Sequence, residues 1–256
     1  MEIIDITAQN IDREHVCCDM GGSKGQVSPK KEWMKARYAD GLSFKRLDAR
    51  GKAFIEYIPA ERAWCPIDAP GYLYIDCFWV AGQFKGQGNG ARLLEECIAD
   101  AKSEGKVGLC ALSSAKKRPY LSDPKFLKHK GFQTADTALS LELLYLPLRE
   151  DAPLPRFRSC AKTGRLEETG LVLCYTDQCP FAAKYAPILR EVAANRGVEL
   201  RLVHVETAEQ AQALPCPATA FSLFLDGEFV TNEILSEKKF ETFLEERGLP
   251  SDPAGK

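Results

Sequence analysis

A glycine-rich turn between a buried strand and a helix is the feature that most constrains this chain. Residues 71–80 are apolar, aromatic and β-branched, which predicts a buried strand. Residues 91–103 predict a helix, because apolar side chains recur there at three- and four-residue spacing. The turn between them contains Lys85, Gly86, Gln87, Gly88, Asn89 and Gly90. Alternating glycines expose backbone N–H groups and the helix adds its positive dipole end, so the turn predicts a pyrophosphate site.

Two other kinds of phosphate site fit this turn less well. A dinucleotide-binding Rossmann unit needs an acidic residue about 20 residues further on, at the end of the next strand. The next predicted strand here ends in Ala111, Leu112, Ser113 and Ser114. A Walker loop ends in Gly-Lys-Ser or Gly-Lys-Thr, which this turn lacks. Taken alone, the turn also fits an ordinary flexible connection.

The surrounding pattern resembles the GNAT acyltransferase family, whose motif is an apolar strand, Arg/Gln-x-x-Gly-x-Gly/Ala, and a helix with paired leucines. The matching positions outside the turn are Val80, Phe84, Leu93 and Leu94, and Lys85 replaces the usual Arg or Gln. Downstream, residues 126–132 resemble the family's helix followed by Gly-Phe. The resemblance covers about residues 1–148. It implies an α/β (α+β) acyltransferase fold, in which a mixed central sheet is flanked by helices.

The same resemblance implies direct transfer of an acyl group, expected to be acetyl, from acetyl-CoA to a small-molecule amine. CoA would lay its pyrophosphate on the glycine turn and its pantetheine along the strand edge at Phe78, Trp79 and Val80. A backbone N–H, such as that of Val80, would polarise the thioester carbonyl. A base must take the amine proton, and an acid must protonate the leaving thiolate.

Candidate acid and base residues follow from position. Glu56 and Asp76 lie within apolar strands where the substrate channel should open, so each is a candidate base. Each carboxylate could instead pair with a buried arginine or face solvent. The family often has a tyrosine four residues before the glycine of the Gly-Phe pair, but Leu127 occupies that position. Tyr120 is the nearest substitute as the acid.

A second pattern begins after residue 168, with predicted order β-α-β-α-β-β-α. That order resembles the thioredoxin fold, which places a reactive cysteine at the position of Cys179, before Pro180. A helix N-terminus lowers a thiol pKa and so favours the thiolate. The position three residues on is Ala182, which excludes a dithiol within the motif, although Cys216 could resolve Cys179. A reactive thiol and a redox-inert appendage both remain open.

The predicted domains are an acyltransferase domain at 1–150, a linker at 151–168 and a thioredoxin-like domain at 169–256. Over the full chain, this pairing, including the segment at 226–240, resembles the YoaP-type N-acetyltransferases. The first functional hypothesis is an acetyl-CoA-dependent N-acetyltransferase, in which Cys179 is catalytic only if the second domain is thiol-active. The alternatives are a thiol-dependent binding or redox protein with a regulatory CoA-binding domain, and a non-catalytic acyl-CoA sensor.

Composition and cysteine spacing limit which kinds of ligand and partner the chain is expected to bind. A net charge of −2 argues against binding nucleic acid or a membrane surface by charge, and paired lysines such as Lys30 and Lys31 are interpreted as solvated. No membrane-length apolar run or secretory signal is evident, which predicts a cytoplasmic protein. None of the 10 cysteines forms Cys-x-x-Cys, so no metal site is predicted. Four cysteines lie within apolar patterns and are expected to be buried, namely Cys77, Cys97, Cys110 and Cys174. Residues 11–19 predict a polar helix. In it, His15, Cys17 and Cys18 could hold a soft metal, or the helix could be half-buried with incidental thiols.

Overall fold

The computed structural model describes residues 1–16 and 28–249. The N-terminal part of the chain forms a mixed sheet with helices packed on it. Its elements, in chain order, are β1 (Ile3–Asp5), α1 (Ser28–Arg37), β2 (Ser43–Leu47), β3 (Ala53–Pro59), β4 (Ile67–Asp68), β5 (Tyr72–Val80), α2 (Asn89–Ser103), β6 (Gly108–Ser113), α3 (Pro124–His129), β7 (Gln133–Ala138) and β8 (Leu141–Pro147).

Seven strands form one sheet in the order β1-β2-β3-β5-β6-β8-β7. Neighbours in this sheet are antiparallel except β5 and β6, which are parallel. Helix α2 connects those two strands and buries one face against the sheet, with Leu93, Leu94, Cys97 and Ala101 inside. The spacing of these apolar residues places them on one side of a helix, as the sequence predicted.

Strands β5 and β6 separate partway along the sheet. Their pairing ends at Ile75 and Ala111, although β5 continues to Val80 along β3. At the point of separation β5 has a bulge. Ile75 pairs with Tyr57 of β3 and Cys77 pairs with the adjacent Glu56, so Asp76 between them has no partner in β3. The edge of β5 beyond Asp76 therefore faces the gap between the two strands.

The C-terminal part forms a smaller four-stranded sheet with three helices. Its elements are β10 (Leu171–Tyr175), α4 (Pro180–Asn195), β11 (Leu200–His204), α5 (Ala208–Gln212), β12 (Phe221–Leu225), β13 (Glu228–Thr231) and α6 (Glu237–Glu246). The strand order is β11-β10-β12-β13, with β10 and β11 parallel and the other pairs antiparallel. The element order agrees with the order predicted from the sequence.

The two parts pack tightly against each other. The connecting segment contributes β9 (Arg156–Phe157), which pairs with β4. One continuous apolar core joins Trp64 and Cys65 of the first part to Cys174 and Phe224 of the second. The side chain of Gln212 also donates a hydrogen bond to the Ala63 carbonyl at 2.8 Å. The segment predicted to be an irregular linker is therefore partly a strand within a continuous interface.

One predicted helix is wrong in its described part. Residues 11–19 were expected to be helical, but the chain forms turns from residue 8 to residue 13. The Asn10 side chain accepts a hydrogen bond from the Thr7 N–H and donates one to the Asp5 carbonyl, both at 2.8 Å. These local bonds offer the backbone an alternative to helical pairing. Cys17, Cys18 and Asp19 lie outside the described residues.

Candidate active site

A cavity of about 520 Å³ lies where the gap between β5 and β6 meets the C-terminal domain. Both β5 and β6 contribute to its wall, and the start of α4 faces them from the other side. Six predicted site residues line it, and five of them belong to the N-terminal domain, namely Glu56, Asp76, Phe78, Trp79 and Tyr120. Gln178 and Cys179 line it from the C-terminal domain. The structure thus brings the candidate acid, the candidate bases and the candidate thiol to one cavity.

Glu56 forms a buried ion pair. Its Oε1 lies 2.5 Å from the Nζ of Lys30, and both side chains are only 2% exposed. Burial disfavours the charge on Lys30, but the attraction of Glu56 outweighs burial and raises the pKa of Lys30. The interpretation of Lys30 as a solvated surface lysine is therefore wrong, because an acidic residue inside β3 requires a counter-charge.

Asp76, unlike Glu56, has no basic side chain in direct contact among the described residues. Its Oδ1 accepts a hydrogen bond from the Nε2 of Gln178 at 3.2 Å. Its Oδ2 is buried and has no hydrogen-bond partner among the described residues. Burial and the nearby charge of Glu56 raise the pKa of Asp76 to about 8, although Lys30 opposes this. A carboxyl with this pKa can gain and lose a proton near neutral pH.

The glycine turn has the conformation that an anion site requires. Gly86 and Gly88 have φ values of +74° and +78°, which glycine adopts without steric cost. Gly88 is the N-cap of α2, and Asn89 holds the turn by donating to the Phe84 carbonyl at 3.0 Å. The first N–H groups of α2 have no partner within the helix. They are therefore available to an anion beside the exposed Lys85.

The open edge of β5 leads from this turn to the cavity. Phe78 lines the cavity, and its ring packs edge-on against Phe126 at a centroid distance of 5.3 Å. Trp79 also lines the cavity and is 37% exposed. Val80 lies beside Gly90, with its Cγ2 3.7 Å from where a Cβ on that glycine would be. A ligand bound to both the edge and the turn would thus reach the cavity wall.

The candidate acid lies at the cavity rim. Tyr120 has a φ of +60° and is 45% exposed, and its ring lies 6.2 Å from that of Phe181 in an edge-to-face arrangement. Leu127, at the position where the family often has its tyrosine, is fully buried in the core. Of these two positions, Tyr120 is the one whose side chain lines the cavity and carries a hydroxyl group.

The cysteines divide into core thiols and cavity thiols. Cys97, Cys110 and Cys174 are buried, as predicted, whereas Cys77 is partly exposed on the cavity wall. Cys179 lies at the N-cap of α4 and is partly exposed. Cys216 is fully buried and lies 3.0 Å from the Ser222 hydroxyl, and burial raises its pKa to about 12. A thiol so rarely ionised is poorly suited to resolve Cys179.

His15 lies away from the cavity lining. Its Nε2 is 2.7 Å from the Gly51 carbonyl, and burial lowers its pKa. Its neighbours Cys17 and Cys18 lie outside the described residues. Within residues 1–16 and 28–249, no group of three His, Cys, Asp or Glu side chains is arranged to hold a metal ion. No helix in that same part of the chain is long and apolar enough to cross a membrane.

Two residues of the site were missed by sequence reasoning. Lys30 had a detectable signal, because Glu56 inside an apolar strand implied a buried cation. Gln178 had none, because it contacts Asp76 across a separation of 102 residues and across the domain interface. Such a contact depends on how the two domains pack, which residue patterns do not specify.

Comparison with known proteins identifies the family of the chain. The sequence model described as the Acetyltransferase (GNAT) family matches residues 25–118, and the one described as YoaP-like matches residues 199–242. The uncharacterized N-acetyltransferase YoaP of Bacillus subtilis (strain 168) is 44% identical over 244 residues, which cover 94% of this chain and 97% of that protein.

Solved GNAT structures are similar at low identity. An acetyltransferase from Brucella melitensis in complex with acetyl-CoA is 15% identical, with a TM-score of 0.40, over 62% of this chain and 96% of that one. The PaiA N-acetyltransferase from Thermoplasma acidophilum in complex with coenzyme A is 14% identical, with a TM-score of 0.42, over 57% of this chain and 99% of that one. On the full-length match to YoaP and the two sequence models, the chain belongs to the GNAT acetyltransferase family and is an N-acetyltransferase with a YoaP-like C-terminal domain.

Proposed function

We propose that this N-acetyltransferase moves an acetyl group from acetyl-CoA to the amine of a small molecule, with Asp76 as the base. One observation carries the proposal. The open edge of β5 joins an anion-binding turn to a cavity that contains a carboxyl whose pKa is about 8. An acyl carrier with a phosphate-containing body and a long arm fits that layout.

The residues present fit acetyl-CoA. The pyrophosphate is held by the turn, through the backbone of Lys85, Gly86, Gln87, Gly88, Asn89 and Gly90. A Cβ added at Gly86 or Gly88 would meet no atom within 4 Å, so this face of the turn is open. The pantetheine pairs with the unpaired edge of β5 at Phe78, Trp79 and Val80. When bound, acetyl-CoA supplies the activated thioester and a thiolate leaving group.

Asp76 performs the proton transfer from the acceptor. The amine nitrogen attacks the thioester carbonyl, a C–N bond forms and the C–S bond breaks. The amine proton passes to Oδ2 of Asp76, which has no partner among the described residues. Tyr120, at the rim, donates a proton to the leaving sulfur. Glu56 remains paired with Lys30, whose charge opposes the rise that burial causes in the pKa of Glu56.

The acceptor is a small molecule because side chains of the N-terminal domain and of the C-terminal domain enclose the cavity from opposite sides. Aromatic side chains of both domains line it, including Trp64, Trp79, Phe181 and Tyr185. A volume of about 520 Å³ suits a compact ligand. The C-terminal domain stands where a protein acceptor would need an open surface.

We also infer the domain limits and the fold of the second domain. The acyltransferase domain occupies 1–150, the connecting segment 151–168 and the second domain 169–256. The second domain is thioredoxin-like, which is supported by its β-α-β-α-β-β-α order and by the sheet order β11-β10-β12-β13. Its function is to form one wall of the acceptor cavity. The thiol-dependent redox alternative is not favoured, because Cys216 is buried and poorly ionised.

A coupled assay tests the proposal. Acetyl-CoA is titrated into the full chain by calorimetry, and release of the free CoA thiol is then followed with a panel of small primary amines. We expect binding of one acetyl-CoA per chain, thiol release with at least one amine, and an acetylated product by mass spectrometry. Absence of binding at millimolar acetyl-CoA would refute the proposed cosubstrate.

A further inference from the structure

We propose that Gln178, a residue of the C-terminal domain, positions the carboxyl group of Asp76 for proton transfer. The second domain then completes the catalytic centre as well as covering it. This inference rests on the proposed function, because Asp76 is the base there. Gln178 lies in the turn between β10 and α4, and its Nε2 donates to Oδ1 of Asp76 at 3.2 Å.

The orientation of the Gln178 amide is fixed within its own domain. The Thr176 hydroxyl donates to Oε1 of Gln178 at 3.1 Å, and the Gln178 backbone N–H donates back to that hydroxyl at 3.3 Å. Thr176 is fully buried, so these bonds are shielded from water. Because Oε1 already accepts the hydrogen bond of the Thr176 hydroxyl, the amide presents its NH₂ group to Asp76.

The two domains are also tied together beside this contact. The Thr219 hydroxyl donates to the Trp64 carbonyl, and the Cys65 thiol donates to the Pro217 carbonyl at 3.4 Å. Thr219 lies 3.4 Å from Oε1 of Gln178, measured from its hydroxyl oxygen. The loop that carries Thr219 therefore contacts both the N-terminal domain and Gln178, and so helps to hold Gln178 against the bulge in β5.

The bulge explains why Asp76 needs an external partner. A bulged residue has no partner opposite it in β3, so the ladder restrains its side chain less than those of its neighbours. The bond from Gln178 occupies Oδ1 and leaves Oδ2, which has no partner among the described residues, as the oxygen that takes the proton. A neutral amide can do this without adding a charge beside the Lys30–Glu56 pair.

The bond also favours the ionised carboxylate, because its donor is an N–H group. The titratable groups of the packed elements that interact electrostatically with Asp76 are Lys30, Glu56, Cys65, Tyr74 and Cys110. Burial raises the pKa of Cys65, Tyr74 and Cys110, so these groups are neutral near pH 7. Removing the Gln178 donor while Lys30 and Glu56 stay in place should raise the pKa of Asp76 further.

The test is Gln178→Leu, which removes the donor at similar volume. Gln212→Leu is a matched control, because Gln212 is also a C-terminal-domain glutamine whose Nε2 bonds to the N-terminal domain, yet it does not line the cavity. The carboxyl of Asp76 is titrated in the full chain by ¹³C NMR, with Asp76→Asn identifying its resonance. Acetyl-CoA binding and the pH profile of acetyl transfer are measured on the same proteins.

We expect Gln178→Leu to raise the titration midpoint of Asp76 by about one unit and to shift the pH profile by the same amount. Gln212→Leu should leave both unchanged. If Gln178→Leu does not fold, Gln178→Glu keeps the size and should raise the midpoint more, because it adds a like charge. An unmoved midpoint in a folded variant, or equal shifts in both leucine variants, would overturn the inference. Failure of acetyl-CoA to bind would refute the cosubstrate alone, because the NMR midpoint is measured without it.

Discussion

The most informative perturbation is Asp76→Asn, which keeps the shape of the side chain and removes the proton acceptor. With a pKa of about 8, roughly one-tenth of Asp76 is ionised at pH 7 and roughly nine-tenths at pH 9. If the ionised form is the base, wild-type kcat/KM should rise about tenfold across that interval. Loss of a general base commonly costs about 10²- to 10⁴-fold in rate, so the variant should be slower by that order.

The assay is CoA release with one fixed acceptor amine from pH 6 to pH 10. The amine itself titrates, but it does so equally with both proteins, so the ratio of wild-type to variant rate isolates Asp76. That ratio should rise about tenfold from pH 7 to pH 9. Asp151→Asn is a control, because Asp151 is an exposed carboxyl bonded to Arg149 at 2.8 Å. A ratio that does not change with pH, or an equal loss in the control, would refute Asp76 as the base.

Three further predictions concern stability and binding. The folded-state pKa of Asp76 lies above its unfolded value, so its contribution to stability is present below about pH 4 and is lost as pH rises to about 8. Between pH 5 and pH 9, the Tm of Asp76→Asn should therefore fall less than the Tm of the wild type. An equal fall in the Tm of both proteins would contradict this. Lys30→Met leaves Glu56 buried without a partner and should lower the unfolding free energy by about 3–5 kcal/mol in denaturant titration, whereas Lys30→Met with Glu56→Leu should recover most of it. Gly88→Ala places a side chain at a φ of +78°, which costs about 1–2 kcal/mol. This variant should bind acetyl-CoA more weakly in calorimetry, and an unchanged affinity would contradict the assignment of the pyrophosphate to this turn.

Local patterns were sufficient to predict most elements. Strand β5 was expected at residues 71–80 and extends over Tyr72–Val80. Helix α2 begins two residues earlier than predicted, because Gly88 rather than Gly90 ends the turn. These features are encoded by hydrophobic periodicity and glycine conformation, both of which act within a few residues.

Features that depend on distant contacts were less accessible. The helix expected at residues 11–19 was missed for a local reason instead, because the Asn10 side chain bonds the backbone of Asp5 and Thr7. Sequence position suggested Glu56 and Asp76 as equivalent carboxyls, but Lys30 neutralises one and a strand bulge isolates the other. The wall provided by Gln178 and Cys179 required knowledge of the interface between the domains.

A crystal structure of the full chain with CoA tests the central claim most directly. We predict that the pyrophosphate contacts backbone N–H groups of the turn at residues 85–90 and that the pantetheine lies along β5. The sulfur should then lie in the cavity between Asp76 and Tyr120, opposite Gln178. A CoA sulfur outside that cavity, or a pyrophosphate bound away from the glycine turn, would contradict the account.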